Sequence, residues 1–234
     1  MSKNDFAFIK KIGVDKTPSI DAQTKFLEWV KEESQPYQNL MTYYRCAMMR
    51  VETKFKVLNE DLKLQYDQSP IEAIHCRLKS QGSIMEKMSR RNLDYSVQAL
   101  EENIFDIAGV RVICAFKADI YMLAEAFLSQ DDVTLIERKD YIENPKKNGY
   151  RSLHLIVSVP IFLHNERKMM KVEVQFRTLA MDLWASAEHK LRYKKDHELT
   201  EGENEALLEC AAGCAEIDEM LASLHKRIIA LGEE

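Results

Sequence analysis

The chain has 234 residues and a formal net charge of -5, from 33 Lys and Arg against 38 Asp and Glu. This balance excludes a protein held on DNA or other nucleic acid by bulk positive charge, so any basic site must be local. At 46% hydrophobic residues, the composition suits a single domain with one sizeable core rather than a disordered chain. Neither G-x-G-x-x-G nor G-x-x-x-x-G-K-[ST] occurs, so side chains must hold any bound phosphate.

The cysteines and the apolar patterning indicate where the protein works. Five cysteines without C-x-x-C spacing are typical of a reducing compartment, and none pairs with a histidine at the spacing of zinc ligands. The N-terminus lacks an apolar signal core, and no apolar stretch approaches the roughly 20 residues that cross a bilayer. We therefore expect a cytoplasmic protein with no membrane partner.

The first third of the chain changes from a helical to a strand pattern. Apolar residues three and four positions apart predict a long helical region over residues 21–65, which Pro36 starts or interrupts. Apolar and basic residues alternate over 74–79, as in a strand with one buried and one basic face. The S-x-x-E sequence at 83–86 predicts a capping box that opens the next helix at Ser83.

The remaining pattern alternates short apolar runs with helical periodicity. It predicts helices at 95–102, 120–128, 179–193 and 203–231, strands at 110–116, 133–138, 152–159 and 170–177, and a charged link at 194–202. Helices that flank one mixed sheet of four or five strands are the simplest packing of these elements. The sequence therefore predicts an α+β fold.

A basic strand face followed by a helix start forms the first candidate site. Arg77 and Lys79 share one face of the predicted strand, Ser83 opens the helix, and Lys87 lies one turn inside it. Guanidinium and ammonium groups beside a helix N-terminus would neutralise a triphosphate without a glycine loop. A solvated edge strand followed by an ordinary capped helix explains the same residues equally well.

Two acidic residues stand near predicted strands. Asp106 comes just before a buried strand, where a carboxylate suits Mg²⁺ that bridges nucleotide phosphates. Taken alone, a turn aspartate paired with Arg111 is the simpler interpretation. Glu173 shares one strand face with Gln175 and Arg177, and would serve as a general base on a ribose hydroxyl or as a second metal ligand. Such a polar face is also ordinary for a half-exposed strand.

A turn at residues 146–154 presents an aromatic ring between cationic groups. Tyr150 would offer its flat face to a purine while Lys146 and His154 contact phosphate or sugar. A half-buried strand aromatic explains Tyr150 alone at least as well.

Four motifs in order carry a resemblance to a known family. They are R-x-K-x-x-x-S-x-x-x-K at 77–87, DIAGVRV at 106–112, GYRSLHL at 149–155 and VEVQFRTLAMDLWASAEHK at 172–190. Together they resemble the synthetase domain of the RelA/SpoT-homologue family over about residues 40–194. The resemblance implies a nucleotidyltransferase-like fold and transfer of the β,γ-pyrophosphate of ATP to the ribose 3′-hydroxyl of GTP or GDP. The products would be the alarmones pppGpp and ppGpp.

The resemblance also implies roles for individual residues. Those that look like ATP-phosphate contacts are Arg77, Lys79, Ser83, Lys87, Arg90 and Arg111. Those that resemble acceptor-nucleotide contacts are Lys139, Lys146, Tyr150, His154, Gln175 and Asp182, with Tyr150 stacked on guanine. Asp106 looks like the Mg²⁺ ligand, and Glu173 looks like the residue that activates the 3′-hydroxyl or shares the metal.

Two positions depart from the pattern of some family members. Asp182 stands where asparagine occurs elsewhere, and its carboxylate would accept hydrogen bonds from guanine N1 and N2. Lys139 stands where arginine occurs elsewhere, and its ammonium lacks the bidentate fork. The preference between GDP and GTP therefore stays open.

Length separates subfamilies within this resemblance. The chain has no His-Asp dipeptide and no room for a hydrolase or a long regulatory region, so it resembles the small alarmone synthetases. Those relatives assemble as homotetramers through terminal helices, which the amphipathic stretches 40–62 and 207–231 would supply. Packing of either helix on its own sheet is the alternative, and regulation by RNA cannot be read from the sequence.

Overall fold

The structure, a computed structural model, describes residues 20–66, 69–193 and 199–232. Its helices are α1 (Ile20–Glu32), α2 (Ser34–Tyr66), α3 (Gln81–Arg90), α4 (Val97–Asn103), α5 (Lys117–Leu128), α6 (Leu179–Tyr193) and α7 (Glu201–Gly232). Its strands are β1 (Ile71–Leu78), β2 (Ala108–Cys114), β3 (Thr134–Asp140), β4 (Leu153–Phe162) and β5 (Arg167–Thr178). Over these residues, no helix combines the length and the apolar character needed to cross a membrane.

The strands form one mixed sheet in the order β1-β2-β5-β4-β3. The central strands β2 and β5 run parallel, and the other neighbours pair antiparallel. This arrangement, with helices against the sheet, confirms the predicted α+β fold. Because β2 and β5 are hydrogen-bonded neighbours, their paired residues, such as Gly109 with Glu173 and Arg111 with Gln175, lie side by side in the middle strands of the sheet.

One face of the sheet is sealed by α2 and α5. Every second residue of the central strands points to this face, as Val112, Leu155 and Phe176 show by being completely buried. Phe55 from α2 stacks on Phe127 from α5 with ring centroids 4.6 Å apart, and its edge meets Phe176 at 5.5 Å. Burial of each such side chain contributes about 1.5–3 kcal/mol. The apolar side chains of the central strands therefore pack against these helices, and their polar side chains lie on the opposite face.

Two rows of residues cross the sheet on this second face. Residues paired between neighbouring strands have their side chains on the same side, so the strand register defines each row. The first row contains Lys139, His154, Gln175, Arg111 and His75. The second contains Ile156, Glu173, Gly109 and Arg77. Since Gly109 has no side chain, it leaves space between the carboxylate of Glu173 and the guanidinium of Arg77.

Most predicted elements are present with shifted ends. Pro36 lies in the first turn of α2, and a single turn residue, Glu33, separates that helix from α1. The strand expected at 110–116 begins and ends two positions earlier, as β2. Residues 194–198 of the predicted charged link lie outside the described residues.

Two local predictions are wrong. Helix α3 does not open at Ser83, because the hydroxyl of Ser80 accepts a hydrogen bond from the Ser83 amide at 3.3 Å and caps the helix. The predicted buried face of β1 is only partly covered, and Cys76 is exposed, because β1 lies at the edge of the sheet.

Candidate active site

A cleft of about 470 Å³ opens on the polar face of the sheet. Strands β1, β2 and β5 and the loop before β2 supply its walls. Six of the residues predicted from the sequence line it, namely Arg77, Lys79, Asp106, Arg111, Glu173 and Gln175. The basic strand and both carboxylates therefore face one common space.

Asp106 lines the cleft and is paired with two lysines. Its Oδ2 atom accepts hydrogen bonds from Nζ of Lys79 at 3.0 Å and from Nζ of Lys87 at 2.8 Å. Burial raises the pKa of Asp106, but the two lysines outweigh it and hold that pKa below its ordinary value. The ion pair with Arg111 considered from the sequence is wrong, because the lysines at the end of β1 and on α3 reach the carboxylate instead.

The second oxygen of Asp106 matters for metal binding. Its Oδ1 atom is buried and accepts no hydrogen bond within the described part of the chain. Among residues 20–66, 69–193 and 199–232, no group of three His, Cys, Asp or Glu residues could hold a metal ion. Asp106 and Glu173 are the two carboxylates among the residues that line the cleft, and a set of few protein oxygens fits Mg²⁺, which keeps waters and substrate oxygens as its other ligands.

Glu173 lines the cleft and is held by two neighbours. Its Oε1 atom lies 3.2 Å from Nδ1 of His154, and its Oε2 atom accepts a hydrogen bond from Nε2 of Gln175 at 2.8 Å. Burial raises the pKa of Glu173, and the charge of Asp106 adds to this, but His154 and Gln175 together bring the pKa below its ordinary value. The carboxylate is therefore ionised near neutral pH and able to accept a proton or bind a cation.

A chain of hydrogen bonds runs from Glu173 through His154 to Tyr150. Because a carboxylate only accepts, Nδ1 of His154 carries the proton toward Glu173, and Nε2 of that ring lies 2.8 Å from the hydroxyl of Tyr150. Arg177 Nη2 donates to the same hydroxyl at 2.8 Å. This chain fixes the orientation of the imidazole and of the phenol ring.

The turn before β4 presents Tyr150 to the cleft side of the sheet. Gly149, with φ +85°, closes it by donating from its amide to the carbonyl of Lys146 at 2.8 Å. A Cβ atom at Gly149 would lie 2.5 Å from the Cβ of Ala211 on α7, so only glycine fits. The ammonium of Lys146 lies 4.7 Å from the centroid of the Tyr150 ring, so a stacked base must share or take that ring face.

Asp182, in the first turn of α6, joins the two central strands. Its Oδ1 atom accepts hydrogen bonds from Nη1 of Arg111 on β2 at 3.1 Å and from Nη1 of Arg177 on β5 at 2.9 Å. The two arginines neutralise the carboxylate, and both bonds end on one oxygen. The second oxygen, Oδ2, takes part in neither of these two hydrogen bonds.

Eight of the predicted contacts are not among the residues that line the cleft, namely Ser83, Lys87, Arg90, Lys139, Lys146, Tyr150, His154 and Asp182. Ser83 is half-buried inside the first turn of α3, and Arg90 is exposed in the last turn of that helix. Lys139 lies on the edge strand β3 and pairs with Glu137 at 2.8 Å.

Two residues of the site were not selected from the sequence. His75 lines the cleft next to Arg111 in the register, and Arg177 contacts three predicted acceptor residues. Each lies two positions from a selected residue on the same strand face. The two-residue period already placed Arg177 beside Gln175, and applied to β1 it places His75 beside Arg77.

Acidification is expected to destabilise the fold through the two cleft carboxylates. Their pKa values lie below the ordinary 3.8 of Asp106 and 4.5 of Glu173, so in acid the unfolded chain binds protons that the folded chain does not. Their contribution to the free energy of unfolding is complete above the ordinary pKa values of the unfolded chain. It is lost as the pH falls through the lowered pKa values of the folded chain. Urea denaturation between about pH 6 and about pH 3 should show this loss as a fall in the free energy of unfolding. The fall should be smaller for Asp106→Asn. Identical pH dependence in that variant would contradict the assignment.

Comparison with known proteins places this cleft in a family. Residues 76–198 match the family described as "Region found in RelA / SpoT proteins". Over 209 residues the chain is 35% identical to GTP pyrophosphokinase YwaC of Bacillus subtilis (strain 168), which spans 89% of this chain and 100% of that protein. The chain therefore belongs to the RelA/SpoT family.

Solved structures of the same family have the same fold. Small alarmone synthetase 1 from Bacillus subtilis bound to its product pppGpp superposes with a TM-score of 0.76 at 32% identity, over 82% of this chain and 97% of that chain. The same synthetase bound to AMPCPP gives a TM-score of 0.71 at 30% identity, over 83% of this chain and 98% of that chain.

Proposed function

We propose that this protein is a GTP pyrophosphokinase, which transfers the β,γ-pyrophosphate of ATP to the ribose 3′-hydroxyl of GTP or GDP. The products are the alarmones pppGpp or ppGpp together with AMP. The observation that carries the proposal is the convergence of basic residues and two carboxylates on one cleft. Membership of the RelA/SpoT family and the pppGpp bound to small alarmone synthetase 1 support the same reaction.

The donor polyphosphate binds at the basic end of the cleft. Arg77 and Arg111 offer planar guanidinium groups suited to phosphate oxygens, and Lys79 and Lys87 add point charges beside Asp106. Phosphoryl transfer needs alignment and charge neutralisation more than covalent catalysis, so no serine or cysteine nucleophile is required.

Mg²⁺ is the proposed cofactor. Asp106 and Glu173 would hold it, since Oδ1 of Asp106 is a buried oxygen without a hydrogen-bond donor. When bound, the ion supplies charge neutralisation to the transferred phosphate oxygens. The lysines keep Asp106 ionised, which maintains a metal ligand at neutral pH.

The acceptor binds at the other end, with its 3′-hydroxyl at Glu173. Tyr150 stacks on guanine, Asp182 accepts from the base, and Lys146 contacts sugar or phosphate. The carboxylate of Glu173 takes the proton of the 3′-hydroxyl as the new bond between that oxygen and the β-phosphorus forms. The bond between the β-phosphorus and the oxygen bridging to the α-phosphorus breaks at the same centre, and AMP leaves with that oxygen.

Incubation with ATP labelled in its β-phosphate tests the reaction. With GDP and Mg²⁺, the label should appear on guanosine and AMP should accumulate in equal amount. A 3′-deoxy-GDP acceptor should give neither product. Release of pyrophosphate instead of AMP would indicate nucleotidyl transfer to another acceptor, and absence of label on guanosine would contradict the proposal.

Replacement of Tyr150 by alanine should weaken binding of the acceptor nucleotide and leave binding of ATP unchanged. Loss of base stacking costs about 1–3 kcal/mol, so the KM for GDP should rise roughly 5- to 150-fold while the KM for ATP stays the same. Steady-state kinetics with each nucleotide varied in turn measures both values. An unchanged KM for GDP would remove Tyr150 from the acceptor site.

We also propose assembly as a homotetramer, in the cytoplasm. The stretch 40–62 of α2 packs mainly on its own sheet, as the burial of Leu40 and Phe55 indicates, so α7 is the better candidate surface. Met220 and Ile228 on α7 are 71% and 58% exposed, which favours an apolar contact. Size-exclusion chromatography with light scattering should give four times the chain mass, and Met220→Glu should lower the measured mass.

All five cysteines are free thiols, which supports the proposed location in a reducing compartment.

A further inference from the structure

The side chain of Arg177 contacts more acceptor-side residues than any role in the proposed reaction requires. Its Nη2 atom donates to the hydroxyl of Tyr150 at 2.8 Å and to Oε1 of Gln175 at 3.1 Å. Its Nη1 atom donates to Oδ1 of Asp182 at 2.9 Å. Three residues that come from a turn, a strand and a helix thus meet on one guanidinium group.

Arg177 is positioned for this contact by the end of β5. It is the last polar residue on the cleft side of the strand, and its neighbour Thr178 accepts the Met181 amide at 3.1 Å in the first turn of α6. The side chain of Arg177 is only 6% exposed. A buried cation is costly unless it is paired and hydrogen-bonded, which Asp182 and the two neutral acceptors provide.

The chemistry of the guanidinium explains why arginine occupies this position. Its N–H groups form a rigid planar fork, so bonds to several acceptors fix their relative positions. Its Cζ atom also lies 5.2 Å from the centroid of the Tyr150 ring, which adds a cation–π contact to the hydrogen bond. The ring plane of Tyr150 and the carboxylate of Asp182 are therefore set by one side chain.

We propose that Arg177 is a positioning residue that sets affinity for the guanine nucleotide by holding Tyr150, Gln175 and Asp182 in their binding arrangement. Its side chain is only 6% exposed and its N–H groups are directed at these three side chains, so it acts through them. The inference rests on the proposed function, because that function assigns the three residues to the acceptor.

The donor side should be largely independent of Arg177. Asp182 keeps its second arginine, Arg111, when Arg177 is replaced, and the Lys79–Asp106–Lys87 cluster does not contact Arg177. A positioning role thus predicts a selective effect on one nucleotide, whereas a general structural role would weaken both.

Calorimetric binding of GDP and of a non-hydrolysable ATP analogue to purified variants tests the proposal. Arg177→Met should weaken GDP binding at least about tenfold and leave ATP-analogue binding within about twofold. Arg177→Lys should fall between Arg177→Met and the wild type, because one ammonium cannot reach all three acceptors. Arg138→Met is the matched control, since Arg138 on β3 pairs with Glu125 of α5, and it should change neither affinity.

A second variant covers the case in which Arg177→Met fails to fold. Tyr150→Phe removes only the hydroxyl that Arg177 holds, so it should fold normally and still weaken GDP binding several-fold. Unchanged GDP affinity in Tyr150→Phe and Arg177→Lys, or equal losses for both nucleotides, would overturn the proposal. A wild-type protein that binds GDP without transferring pyrophosphate would overturn the proposed activity and leave this inference standing.

Discussion

Replacement of Glu173 by glutamine is expected to lower kcat by roughly 10²- to 10⁴-fold, the usual contribution of a general base. The amide keeps the shape of the side chain and its contact with Gln175, but it cannot take the proton of the 3′-hydroxyl. Binding of a non-hydrolysable ATP analogue should change little, because Arg77, Lys79 and Arg111 remain. AMP release gives kcat, and calorimetry gives the affinity.

The control for this variant is Glu125→Gln on α5, which removes an exposed carboxylate paired with Arg138. It should retain wild-type kcat. If Glu173→Gln keeps its fold but loses affinity for the ATP analogue in proportion to its activity, Glu173 serves donor binding and is not the base.

Asp106→Asn is expected to reduce turnover at least about 100-fold and to abolish the normal response to Mg²⁺. The change removes the proposed Mg²⁺ ligand and also leaves Lys79 and Lys87 without their shared counter-charge. In the presence of EDTA, the variant should bind the ATP analogue at least as tightly as the wild type, because the cleft has lost a negative charge beside the polyphosphate. This opposite change of binding and turnover distinguishes a metal ligand from a donor contact.

Titration of turnover with Mg²⁺ and calorimetry with and without EDTA measure the two effects of Asp106→Asn. Asp131→Asn, at an exposed position between α5 and β3, is the control and should match the wild type. Wild-type turnover with an unchanged Mg²⁺ requirement in Asp106→Asn would contradict the metal assignment.

Periodicity predicted those parts of the fold and site that depend on local sequence. The alternation of Glu173, Gln175 and Arg177 with Val172, Val174 and Phe176 correctly predicted which residues of β5 face the core. The α+β class followed from the order of elements, and motifs in sequence order identified the family. These inferences needed no knowledge of which strands are neighbours.

Features that depend on tertiary contacts could not be predicted in this way. The S-x-x-E pattern favoured Ser83 as the N-cap of α3. In the structure the N-cap is Ser80, whose hydroxyl accepts a hydrogen bond from the Ser83 amide. Asp106 is close to Arg111 in sequence, yet its ion pairs are with Lys79 and Lys87, which the antiparallel pairing of β1 with β2 brings close.

The role of Arg177 depends on tertiary structure most of all. Its three acceptors come from the turn before β4, from β5 and from α6, and they meet only when the sheet and the last helices are assembled. No spacing rule within one element reports such a contact. Asp182 also accepts a hydrogen bond from Arg111 of β2, so the network spans two strands and α6.

A crystal structure of the protein with Mg²⁺, a non-hydrolysable ATP analogue and GDP tests the central claim most directly. We expect the 3′-oxygen of GDP within about 3–3.5 Å of both the Glu173 carboxylate and the β-phosphorus, with Mg²⁺ between Asp106 and the phosphate oxygens. A GDP ribose that points away from Glu173, or a polyphosphate bound outside the cleft of Arg77, Lys79 and Arg111, would contradict the account.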